Sequence, residues 1–159
     1  MRAITRALEV LLVVIFALMT LDVLWQVVSR YALGTSSSFT EEFARFALIW
    51  LTVLGAAYLN AKRGHLTMDF LTRRLAPAAR ARRERAVEWW MLAFALVVMV
   101  VGGGYLVYTT LRLGQVSPAI GVPLGLVYGV VPVSGLLIAA FCVAHIRAGG
   151  APAGDKRIA

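Results

Sequence analysis

The residues able to do chemistry are few. Glu41 and Glu42 are adjacent carboxylates, with Arg45 following them. His65 and Asp69 form a His-x-x-x-Asp step, His145 stands alone near the end, Asp22 is an acid inside an apolar run, and Cys142 is the one thiol. Paired carboxylates are the raw material of acid–base catalysis, and His with Asp could ligate a metal or relay a proton. Neither set is completed by a third group. A lone His/Asp pair is a poor metal site and a poor catalytic pair, so Asp69 is expected to orient His65 or to cap a loop. A single cysteine allows no internal disulfide and favours a small core residue. No enzyme motif, metal site or cofactor site follows from these residues. Two histidines keep bis-His haem ligation in view as an alternative, settled by an absorption spectrum.

Local physics places the acids at a helix start. Ser38 and Glu41 have the S-x-x-E spacing of a capping box. Glu41 and Glu42 then sit in the first turn, where the helix dipole favours negative charge by about 0.3–1 kcal/mol each. Glu41 and Arg45 share a face four residues apart. Lys62, Arg63 and Gly64 suit the other end.

The elements carrying these residues are membrane spans. The chain has 159 residues, 60% of them hydrophobic, and a mean hydropathy of +0.80. That is too apolar for a soluble domain of this size. The expected fold class is all-α, a polytopic integral membrane protein. Its four transmembrane helices, about 8–30, 41–62, 86–112 and 120–145, form a single domain over 1–148, with 149–159 a disordered tail. The first apolar run follows Arg2 and Arg6 and has no small-x-small cleavage site, so it reads as an uncleaved signal-anchor. At about 21 residues it would be about 31 Å long, enough to cross. Asp22 lies inside it, where a charge is expensive, and pairing with Arg45 on the antiparallel neighbour is expected. Trp50 and Tyr58 read as packing groups, and Gly55-Ala56-Ala57 as a face for close helix approach. Pro77 should open the third helix, about 37 residues and roughly 55 Å long. Its basic start, with Arg80, Arg82, Arg83 and Arg85, leads into an aromatic belt at Trp89 and Trp90. Gly102-Gly103-Gly104 marks a close contact or a bend. Pro118 suits the start of helix 4, and Pro123 and Pro132 require that helix to be bent or broken.

The formal charge of +8 is explained by topology better than by nucleic acid. Of 16 basic residues, only Arg30, Arg45 and Arg112 fall on one face of a four-span layout, leaving 13 on the other. The positive-inside rule then makes both termini cytoplasmic, with short periplasmic turns and a longer basic cytoplasmic connection. The Glu41/Glu42 end faces the periplasm.

The order of these features resembles the small membrane subunit of tripartite ATP-independent periplasmic (TRAP) transporters. The residues that carry the resemblance are Arg30-Tyr31, Phe39-x-Glu41-Glu42-x-x-Arg45, Trp50-Leu51, Gly55-Ala56-Ala57, Gly64-His65-Leu66-x-Met68-Asp69, Ser117-Pro118-Ala119-x-Gly121-x-Pro123, Tyr128 and Pro132. Phe39 stands where the family often has Trp. The resemblance implies a four-helix scaffold without catalysis or cofactor in the bacterial inner membrane. It implies two partners besides the lipid bilayer: a large multi-span membrane subunit carrying the ion and substrate sites, and a periplasmic substrate-binding protein delivering an organic acid. Arg30, Glu41, Glu42 and Arg45 would form a periplasmic charge cluster. A stand-alone four-helix channel or exporter, or the small subunit of another tripartite system, remains the alternative. A channel needs a polar stripe, and the spans offer only scattered Thr, Ser, Asp22 and Asn60.

Overall fold

The computed structural model describes residues 2–32, 34, 38–62 and 77–147. His65, Asp69 and the tail from 149 to 159 lie outside the described residues, as do Arg63 and Gly64. Helix α1 runs Arg2–Ala32 and α2 runs Ser38–Ala61. The third span starts at Pro77 with α3, Pro77–Phe94, continues as a π-helix over Ala95–Gly102, and ends as α4, Gly103–Arg112. The fourth is broken into α5, Leu124–Tyr128, and α6, Val130–Arg147. Four helical stretches are long and apolar enough to cross a membrane: Ala3–Ala32, Ser38–Ala61, Arg85–Arg112 and Leu124–Arg147. The architecture is all-α and four-spanning, with one isolated bridge between Val116 and Pro123.

Packing puts the last span in the middle. Helix α2 packs against α1 on one side and α6 on the other, and α6 packs against α3 and the π-helix. The most apolar window of the last span is 44% buried, against 6% for α1, so the last span is the core element. Two apolar clusters mark these contacts. Ala57, Leu92, Ala95, Ile138, Ala139 and Cys142 join α2, α3 and α6. Leu8, Leu54, Val130 and Phe141 join α1, α2 and α6. Ala57, Ala95 and Cys142 are fully buried, which is how small residues let backbones approach in lipid.

The close approach is not at Gly55, where an added Cβ would meet nothing within 4 Å. It lies at Gly135 and Gly103. A Cβ on Gly135 would stand 2.7 Å from Met99 Cβ and 3.1 Å from the Ala95 carbonyl oxygen. A Cβ on Gly103 would stand 2.8 Å from Val131 Cγ1. Of the three consecutive glycines, Gly103 is therefore the one a neighbour requires. The Gly135 contact falls where the third span is a π-helix, whose wider turn carries Ala95 and Met99, and the Gly103 contact follows at the first residue of α4.

Pro118 does not begin a helix. The segment from Gln115 to Leu124 folds back on itself instead. Ser117 N donates to the Val122 carbonyl at 2.9 Å, Gly121 N to the Ser117 carbonyl at 2.9 Å, and Leu124 N to the Gln115 carbonyl at 3.0 Å. Gly121 turns the chain at φ 74°, a left-handed conformation suited to glycine. The last span thus becomes helical after Pro123, later than residue 120, because the amides of Ser117 and Gly121 serve this turn and those of Ala119 and Ile120 are turned outward from any helix.

Candidate functional site

Glu42 stands near the start of α2 and reaches across to this turn. Its Oε2 accepts the Ser117 hydroxyl in a short hydrogen bond, the Ala119 amide at 3.0 Å and the Ile120 amide at 3.1 Å. Ser117 is 1% exposed, so the bond is sheltered from competing water. An ionised acceptor makes such bonds roughly twice as strong as neutral ones. One side chain thereby fixes the N-terminal end of α2 to the entry of the last span. Glu41 behaves differently. It meets Arg45 at 3.4 Å with both side chains more than 60% exposed, a pair of the kind that contributes little. Ser38, Glu41, Glu42, Arg45, Pro118 and Ala119 line a shallow cavity of about 350 Å³ at this end.

Below the clamp, α2 and the last span are joined by a polar seam. Trp50 Nε1 donates to the Val127 carbonyl at 3.0 Å. That carbonyl lies beside the Tyr128 carbonyl, which Pro132 cannot bond because it has no N–H. A neighbouring side chain thus serves the backbone at the helix break, as lipid requires. Ser134 Oγ donates to the Val53 carbonyl at 2.7 Å. Asn60 Nδ2 donates to the Ile138 carbonyl at 3.3 Å and to Cys142 Sγ at 3.4 Å. Glu42, Trp50, Val53, Ala57 and Asn60 recur at three- and four-residue steps or their multiples, one face of α2.

At the opposite end the charges pair between helices. Glu9 of α1 meets Lys62 at 3.6 Å. Lys62 lies just past the end of α2, and its contact with Tyr58, ahead of the Glu9 charge, raises its pKa above the ordinary lysine value. His145 Nδ1 is 3.2 Å from Glu88 Oε1, with both side chains largely buried. Among the described residues no three His, Cys, Asp or Glu gather as metal ligands.

The structure therefore brings together Glu41, Glu42, Arg45, Ser117 and Pro118, and separately Trp50 and the Val127 carbonyl, with Tyr128 and Pro132 following in the chain at the helix break. Pro123 closes the turn through its bridge with Val116. Arg30 is exposed and forms no ion pair among the described residues, and Tyr31 is 85% exposed. Neither joins the Glu42 clamp. The partner of Arg45 is Glu41 and not Asp22, whose Oδ2 is buried without a hydrogen bond. Arg45 finds Glu41 one turn away on its own helix, with both side chains exposed. Sequence reasoning missed Asn60 and Ser134 as seam residues and Glu88 as the neighbour of His145. Asn60 alone carried a signal, as an amide at the end of an apolar helix.

Residues 19–149 match the family described as tripartite ATP-independent periplasmic transporters, DctQ component. The chain belongs to that family. A protein of Haemophilus influenzae named as a TRAP transporter small permease is 31% identical over 143 residues, 90% of this chain and 87% of the relative. The ectoine TRAP transporter small permease protein TeaB of Halomonas elongata is 31% identical over 123 residues, 76% of this chain and 62% of TeaB. The chain is thus a TRAP small permease, a multi-pass membrane protein. The matched stretch contains the Glu42 clamp and the whole seam, and leaves the first 18 residues outside.

Proposed function

We propose that this small permease is the membrane scaffold of a TRAP transporter, with no catalysis and no cofactor of its own. It holds the large membrane subunit while that subunit moves an organic acid, delivered by a periplasmic binding protein, in ion-coupled uptake. Both termini face the cytoplasm, since 13 of the 16 basic residues gather on their side. The cavity at Glu41, Glu42 and Arg45 then opens to the periplasm, where the binding protein docks.

The Glu42 clamp carries this reading. It ties α2 to the turn before the last span, and the seam continues the tie inward, so spans 2 and 4 form one rigid unit. A scaffold needs that stiffness. A channel needs mobile polar groups along a pore, and here the seam hydroxyl, indole and amide donate to backbone carbonyls or a thiol.

The test is co-expression with the cognate large subunit and binding protein. Glu42→Gln and Ser117→Ala should each lower both complex yield and solute uptake, Glu42→Gln by on the order of tenfold, as loss of a charge-assisted bond implies. Solute movement by this chain alone in vesicles would overturn the scaffold reading.

A further inference from the structure

A trough of about 830 Å³ runs between the first half of α1 and the last turns of α6, floored by the end of α2 at Ala61. Val10, Val13, Val14 and Phe141 make its walls, and Arg6, Glu9 and His145 stand at its mouth. Its α1 wall runs from Thr5 to Val14, nine steps or about 14 Å along the helix. That is about half the hydrocarbon thickness of a bilayer, the depth of one leaflet.

We propose that this trough holds one anionic glycerophospholipid, its phosphate on the Arg6 guanidinium and an acyl chain along Val10, Val13 and Phe141. Two observations support this occupant. At the mouth Glu9 is matched by Lys62 at 3.6 Å and His145 stands 3.2 Å from Glu88, while the Arg6 guanidinium has no ion pair among the described residues. Guanidinium and phosphate fit as a forked, charge-assisted pair. The trough is also as deep as one leaflet, the length along which an acyl chain lies. The α1 wall lies before residues 19–149, the stretch that matches the family. The choice of cytoplasmic leaflet rests on the orientation proposed above; the site itself does not.

Native mass spectrometry of the full chain in detergent tests the site, with phosphatidylglycerol and phosphatidylcholine offered together. One phosphatidylglycerol per chain should survive activation. Arg6→Gln should erase the preference over phosphatidylcholine, about a tenfold change in their ratio. Val13→Trp, at a lipid-exposed position, should displace both lipids by filling the trough. Retention of neither lipid by the unmodified chain, an unchanged ratio in Arg6→Gln, or unchanged retention in Val13→Trp would each overturn the proposal. Loss of the lipid whenever the large subunit binds would overturn it too, by making a protein segment the occupant. Arg6→Gln should still capture the large subunit. Failure of the unmodified chain to capture it would sink the scaffold reading and leave the lipid result standing.

Discussion

Adjacent carboxylates have unlike roles. Glu41 projects into solvent toward Arg45, and exposed pairs of this kind are worth about 0–1 kcal/mol. Glu42 is held by one hydroxyl and two amides. Glu41→Gln should therefore leave thermal unfolding in detergent nearly unchanged, while Glu42→Gln lowers the midpoint clearly. Equal midpoints for the two variants would show that the clamp adds nothing to stability. Asn60, 1% exposed, allows a second comparison. Hydrogen bonds between membrane helices average about 0.6 kcal/mol and reach about 1.7. Asn60→Leu should fall in that range, because Ile138 keeps its own helical partner when the amide is gone. Alkylation of Cys142, fully buried under Asn60, should be slow in the folded chain and rise in Asn60→Ala.

Element boundaries were written in composition and punctuation. The apolar runs, Pro77 at the start of α3, and Pro123 with Pro132 at the break of the last span all announce themselves. The π-helix does not. Ala95–Gly102 is apolar on every side, so no periodicity records which residues turn inward, and only contact with α6 reveals the register. The same silence hid the value of Gly135 beside the more conspicuous Gly55. Helix-scale packing makes the difference measurable. Gly135→Val should destabilise by about 1–3 kcal/mol through overpacking against Met99 and Ala95. Gly55→Ala, with open space around it, should be neutral or mildly stabilising. The Ser117–Gly121 turn was read as a helix start at Pro118, and its role as a carboxylate receptor was unreadable, because its donors are backbone amides that every sequence carries.

For the whole molecule, charge asymmetry carries the proposed orientation and packing gives order. A reporter fused after Gly34 should be active outside the inner membrane and one fused after Arg147 inside; the reverse pattern would invert the topology. Neighbour relations could not be inferred from span order, since the fourth span lies between the second and third. That placement has a consequence for biosynthesis. The ribosome releases the first three spans into lipid before their shared partner exists, so the slot that Val130–Arg147 will occupy must wait, filled by lipid or a chaperone. A chain stopped at Arg112 would keep the packing of α1 on α2, yet leave the third span without the helix it packs against. Maturation of this subunit therefore waits on the span from Leu124 to Arg147.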